Sequence, residues 1–395
     1  MTLTPAPTLR TLAALLPVLL VLVPACGGGF AGDDADAGAD AIDAEPDDGA
    51  ADDAEPEIDA APEFEAEAEA EAEIEEEADA ADAEAEAEVT DARLFSFAQI
   101  TDLHIGEGAD DYGTPGWDDR DGPEDDVTAT LRFAVSKINF AIDDYDIRFV
   151  MVTGDLGDSG ERSEEQKAKD ILDQLNVPYF PLIGNHDIWP YSGSDEASGP
   201  VGDAQFEEVF SDQFALLQTL FPSLEKAPTP VYNPECSCMA SFQNYAFDYE
   251  GYHFVALDLV TRSHAPLGYH GVTSEADLFD FEGGTWRWLT GHLDAYTGFG
   301  EDNVFFFSHH PPIVTSLGIL DCLTIDEVNR IDGYIRDHAL GGSIWGFFAG
   351  HHHLDYTLPG YDGQTIVVTP AEKDGSTARV IQLYGDHRVD VATFL

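Results

Sequence analysis

From Arg93 onward the sequence predicts a layered α/β fold. Three features point to it: short, near-continuous apolar runs, helical patterns between them, and capping signals where helices open. In chain order, the predicted strands are Phe95–Ile100, Arg148–Thr153, Tyr179–Ile183, His253–Leu257, Val304–Phe307, Ile344–Phe348, Ile366–Val368, Arg379–Leu383 and Val389–Phe394. The first helix is read from Val127, Leu131, Val135, Ile138 and Ile142, which recur at helical spacing. Two more open on capping boxes. Ser163-Glu164-Glu165-Gln166 leads into Ile171 and Leu175, and Thr324-Ile325-Asp326-Glu327 leads into Val328, Ile331 and Ile335. With no internal repeat and no second boundary, residues 93–395 read as one domain.

The first 92 residues have a different texture. Arg10 precedes a mostly apolar run from Leu12 to Val23, followed by Pro24, Ala25 and Cys26. A basic start, a greasy stretch too short for a comfortable membrane span, and small residues at the cut predict a signal peptide over 1–25. Val23-Pro24-Ala25-Cys26 resembles the lipobox of bacterial lipoproteins, which implies lipidation of Cys26 and an exported, membrane-anchored protein, periplasmic or on the cell surface. An ordinary cleaved signal is the alternative. Residues 33–91 hold 28 acidic residues and no Lys or Arg, so 26–92 is expected to be a solvated, extended linker. A Ca²⁺-binding or partner-recruiting tail is the other reading of that stretch.

The formal net charge is −61, and outside 33–91 the chain still has 50 acidic against 17 basic residues. Such a surface repels nucleic-acid phosphates, so no nucleic-acid partner is expected. Beyond Cys26, three cysteines remain: Cys236, Cys238 and Cys322. An exported compartment permits a disulfide, and the expectation is one between Cys322 and either Cys236 or Cys238.

Five segments carry the chemistry, each directly after a predicted strand: Thr101-Asp102-Leu103-His104, Thr153-Gly154-Asp155-Leu156-Gly157-Asp158, Gly184-Asn185-His186-Asp187, Ser308-His309-His310-Pro311-Pro312 and Gly350-His351-His352-His353. Loops at the C-terminal ends of strands converge on one edge of such folds. The carboxylates, amide and imidazoles meeting there suit Zn, Mn or Fe and are too many for one ion. They are about enough for two ions sharing a carboxylate.

In this order, Asp-x-His, Gly-Asp-x-x-Asp, Gly-Asn-His-Asp, His-His-Pro and Gly-His-x-His resemble the signature of calcineurin-like metallophosphoesterases, from Asp102 to His353. The resemblance implies a four-layer α-β-β-α sandwich of two mixed sheets with a dinuclear site at the strand C-terminal edge. It implies hydrolysis of a phosphate-ester substrate, monoester or diester, with a hydroxide between two divalent or trivalent ions as nucleophile. Asp102, His104 and His353 would hold the first ion, and Asn185, His309 and His351 the second. Asp155 would bridge them, and His186 would stabilise the attacked phosphate or protonate the leaving oxygen. Asp158 and Asp187 would orient ligand imidazoles, and Gly154, Gly184 and Gly350 would let backbone come close. The purple acid phosphatase branch carries a tyrosine ligand where this chain has Asp158, so no intense visible colour and no obligatory ferric ion are expected.

His309 is preferred over His310 as ligand, because it stands two residues before the proline. His352 should point away from the ions, and His310 and His352 read as rim residues on substrate or solvent. His253, His264, His270, His292, His338 and His387 lack a motif. Residues 106–126, 189–205 and 227–242 are expected to shape the pocket. The acidic run from Asp110 to Asp126 suits a cationic head group or Ca²⁺, or is simply acidic loop composition. Trp117, Trp189 and Tyr191 are candidates for stacking. The alternative to catalysis is a non-catalytic metal-binding surface lipoprotein.

Overall fold

The computed structural model describes residues 92–107, 126–189, 202–262, 275–314, 322–360 and 363–395. The signal peptide, Cys26, the acidic linker to Asp91, the acids from Asp110 to Asp125, Trp117, Tyr191, His264 and His270 lie outside them. The elements run β1 Arg93–Ile100, α1 Asp126–Tyr145, β2 Ile147–Thr153, α2 Arg162–Leu172, β3 Tyr179–Leu182, α3 Gly202–Val209, α4 Ser211–Leu220, β4 Glu225–Lys226, β5 Val231–Asn233, β6 Cys238–Ala240, β7 Tyr245–Tyr249, β8 Tyr252–Leu257, α5 Thr285–Ala295, β9 Val304–Ser308, α6 Ile325–Asp337, β10 Ile344–Ala349, β11 Tyr356–Pro359, β12 Thr365–Val368, β13 Arg379–Tyr384 and β14 Val389–Phe394.

Two mixed sheets form, ordered β14-β13-β1-β2-β3 and β11-β12-β10-β9-β8-β7-β4. In the first, β1, β2 and β3 are parallel, and in the second β8, β9, β10 and β12 are parallel. The parallel strands explain the near-continuous apolar runs, since both faces are covered. Period-two alternation then assigns each side chain to a layer. Phe305 and Phe307 of β9 pack with Phe97 and Phe149 of the first sheet, whereas Val304 and Phe306 face α5 and α6. Leu131, Val135 and Ile138 of α1 cover the outer face of the first sheet. The result is helices, sheet, sheet, helices: the four layers the resemblance implied.

The space between the sheets is aromatic. Phe97 has ring centroids 5.3 Å from Phe149, 5.7 Å from Phe254 and 5.8 Å from Phe307. At the C-terminal ends of the strands a polar tie replaces these rings. Buried Gln99 donates to Thr153 Oγ1 (3.0 Å) and to the Ala349 carbonyl (3.2 Å), and accepts from Thr369 Oγ1 (2.7 Å). It thereby fastens the end of β1 to that of β10 in the other sheet.

Some expectations need correction. The α2 helix starts at Arg162 with Glu161 as its cap, and Ser163 sits inside the first turn. Glu164 instead turns its carboxylate back to the loop amides of Asp158 (3.1 Å) and Ser159 (3.0 Å). The second capping box stands: Glu327 N donates to Thr324 Oγ1 at 3.3 Å, and Thr324 N to Glu327 Oε2 at 2.9 Å. The disulfide joins Cys236 to Cys238, with Cα atoms 5.2 Å apart, and Cys322 is buried outside any disulfide. Cys236 and Cys238 lie on the small β5–β6 hairpin, whereas Cys322 is drawn beneath the His351 loop, its Sγ 3.3 Å from His352 Nε2. Trp189 is buried and donates its indole N–H to the Thr261 carbonyl (3.0 Å), so it is not a stacking surface.

Candidate metal centre

Because β1, β2 and β3 are parallel in one sheet and β9 and β10 in the other, their following loops emerge on one edge. Backbone bonds stitch these loops together before any ligand is considered. Asp102 N donates to the Gly154 carbonyl (3.0 Å), Leu103 N and His104 N to that of Asp155 (2.7 and 3.0 Å), and Gly350 N to that of His309 (3.0 Å). The turns are sharp. Asp102, His104, Asp155, His351 and His353 all hold positive φ, at 55°, 46°, 53°, 69° and 54°. Left-handed backbone is uncommon outside glycine and persists where the surroundings over-determine it, as at binding sites. Gly184 meets a closer limit: a Cβ there would lie 2.2 Å from Asp155 Oδ1 and 2.3 Å from Asp155 N.

The first expected set comes together. His104 Nε2 and His353 Nε2 face each other at 3.2 Å, and His353 Nε2 is 3.2 Å from Asp102 Oδ1. His104 donates from Nδ1 to Asp158 Oδ1 (2.8 Å), which fixes the tautomer and leaves Nε2 as the coordinating atom. Of the second set, His309 reaches Asp155, whereas His351 turns its Nε2 toward Glu275. His309 donates from Nδ1 to the Thr153 carbonyl (2.9 Å), and its Nε2 lies 3.1 Å from Asp155 Oδ2, without the alignment of a hydrogen bond. Asp155 Oδ2 is also 3.6 Å from His104 Nε2, so one carboxylate reaches both sets. Asn185 is buried on the loop whose next amide, His186 N, donates to Asp155 Oδ1 at 2.9 Å. His351 meets His309 edge to face at 5.2 Å, with its amide on the Asp102 carboxylate (3.1 Å) and its Nε2 3.4 Å from Glu275 Oε2.

His186 lies at the mouth. Its side chain is 23% exposed, and Nδ1 donates to the Asp158 carbonyl at 2.6 Å. Burial opposes its charge, but the charge of Asp155 and the bonds to Asp158 prevail, raising the imidazole to about 10. Asp187 departs from its expected role. Its carboxylate accepts from the amides of Leu156 (2.7 Å), Gly157 (2.9 Å) and Gly184 (2.7 Å), so it braces two loops and touches no imidazole through these bonds. His310 and His352 are not rim residues. Both are buried, His352 bonding Tyr356 Oη and Cys322 Sγ.

The electrostatics favour cations. Asp102 and Asp155 are fully enclosed, and burial alone would raise them; the His353 bond and nearby imidazole charge hold Asp102, and the charges of His309 and His186 hold Asp155, below the usual carboxylate range. Among the described residues their ion-pair partners are imidazoles, not Lys or Arg. Buried carboxylates without a permanent positive partner are costly. Asp102/His104/His353, His104/Asp155/His186 and Asp102/Asp155/His309 each place three donor atoms within 4.8 Å of one another. The donor set thus fits metal ions with mixed nitrogen and oxygen ligands. Sequence reading missed Gln99 as the sheet-to-sheet tie and Glu275 beside His351, for neither belongs to a motif.

The sequence matches the calcineurin-like phosphoesterase family over residues 95–367. No curated protein matches it. Similar solved structures include a dimetal phosphatase from Danio rerio (17% identity, 74% of this chain and 94% of that chain covered, TM-score 0.40). Purple acid phosphatase PPD1 from yellow lupin (Lupinus luteus) seeds is another (15%, 75% and 52%, 0.42), as is 5'-nucleotidase from Candida albicans (12%, 76% and 53%, 0.39). The chain spans about half the length of these last two.

Proposed function

The chain belongs to the calcineurin-like phosphoesterases, dimetal-dependent hydrolases of phosphoester bonds, and from that premise we propose that the cluster around Asp155 is its two-metal catalytic centre, acting on small phosphate monoesters or diesters. One observation carries the reading: the Asp155 carboxylate lies 3.1 Å from His309 and 3.6 Å from His104, the nearest imidazole of each ligand set. Asp102, His104 and His353 would hold one ion, Asn185, His309 and His351 the other, with Asp155 shared. Two Mn, Fe or Zn ions there would supply a hydroxide nucleophile near neutral pH and neutralise charge on the phosphoryl oxygens.

The protein's own groups do the rest. Asp158 and the Thr153 carbonyl hold His104 and His309 in the tautomer that turns Nε2 inward. Asp187 fixes the loop amides around Asp155. His186, tethered through Nδ1 to the Asp158 carbonyl, presents its other nitrogen to an incoming phosphate and gives a proton to the leaving oxygen. The raised pKa of His186 rests partly on the Asp155 charge, so bound cations sharing that charge would bring it down toward the working range. The net negative charge supports small esters over polymeric nucleic acid as substrates.

The test is hydrolysis of p-nitrophenyl phosphate and its bis-ester by chelator-treated protein before and after adding Mn. Turnover of at least one ester that returns with metal supports the reading, and inertness toward both, with two ions bound, contradicts it. Export and tethering through Cys26 are proposed on the sequence alone; no helix among the described residues is long and apolar enough to cross a membrane. A Cys26→Ser variant that stays in the membrane fraction would contradict the anchor.

A further inference from the structure

We propose that Glu275, His310 and His351 form a third metal site, for a divalent transition-metal ion such as Zn or Co, beside the pair. Their donor atoms all lie within 4.8 Å of one another. Glu275 Oε2 is 3.4 Å from His351 Nε2 and 3.9 Å from His310 Nε2. Two ligands bound at zinc distances to one tetrahedral ion sit roughly 3.3–3.6 Å apart, so a small inward movement completes the geometry. Glu275 and His310 are buried and His351 is mostly so, and two imidazoles with one carboxylate are a donor set suited to such ions.

The independent observation is His310. It is completely buried, and neither ring nitrogen has a hydrogen-bond partner. A buried imidazole left so is destabilising, and its ring lies 4.2 Å from that of His351, facing the Glu275 carboxylate. A cation between them would give the His310 nitrogen a partner and take the Glu275 carboxylate as a ligand. His351 turns Nε2 to Glu275; to serve the pair as well through Nδ1, its ring would release its remaining proton to solvent and bridge the two sites as imidazolate. Neither Glu275 nor His310 is among the ligands of the proposed pair, so the third ion goes beyond that reading.

The test titrates metal-free protein with Co²⁺, following its visible absorption and counting bound metal by elemental analysis. Glu275→Gln and His310→Gln are each expected to bind one ion fewer than the parent, while Asp102→Asn loses an ion of the pair and keeps this one. Unchanged Co²⁺ stoichiometry and affinity in both Glu275→Gln and His310→Gln would overturn the proposal, leaving Glu275 as a carboxylate that merely positions His351. Parent protein that binds Co²⁺ but hydrolyses no ester would count against the catalytic reading and not against this site.

Discussion

At the scale of single residues, the site separates groups that hold metal from groups that act on substrate. Asp155→Asn removes the one carboxylate common to both sets, so metal content should fall and hydrolysis should drop below detection. His186→Ala is expected to keep the full metal content and lose about 10²–10⁴-fold in turnover, because proton transfer is worth roughly that much. Asp158→Asn frees the His104 ring, and metal affinity should weaken about 10–100-fold by chelator competition, as when other imidazole-orienting carboxylates are removed. Asp102, Asp155, His309 and their partners were legible because each falls in a short motif at a strand end. Glu275 was not: an isolated acid in an acidic protein carries no signal until the fold sets it against His351. Asp187 was found by its motif but misassigned, because adjacency to a histidine does not say whether a carboxylate faces rings or amides.

At the scale of elements, the strands that read most clearly are those covered on both faces. The edge strand β11 Tyr356–Pro359 is mostly exposed and ends on proline, so no apolar run announces it. Helix α5 Thr285–Ala295 buries Trp286, Leu289 and Leu293 but opens at Gly284 with no capping side chain, which removed the usual start signal. The loops were located by position, whereas their strained backbone needed coordinates. Gly184→Ala tests how little room they have. Its Cβ would run into the Asp155 main chain, which cannot swing aside, so about 1–3 kcal/mol of stability should be lost in a denaturant titration, together with metal. Phe97→Ala should cost about 3–5 kcal/mol in the same titration yet leave metal stoichiometry in the folded fraction unchanged, since its ring packs between the sheets.

For the whole molecule, two sheets pressed over an aromatic interior bring residues some 250 positions apart to one edge, and Gln99 ties that edge. The cost of such enclosure shows at Glu372, fully buried with neither carboxylate oxygen hydrogen-bonded. Burial pushes its carboxyl from the ordinary 4.5 up to about 8. Between those values the folded chain keeps a proton that the unfolded chain has released, so stability falls as pH rises through this window and levels off above it, by at most about 1.4 kcal/mol per pH unit. Glu372→Gln should match the parent near pH 4 and be the more stable protein above pH 8, as read from urea midpoints across pH; equal midpoints at both ends would contradict this.

The central claim is tested most directly by anomalous diffraction from crystals grown with Mn²⁺. Two peaks about 3.5–4 Å apart, with the Asp155 carboxylate touching both and His104 and His309 on opposite sides, are the expected result. A lone peak, or none within reach of Asp155, would contradict it.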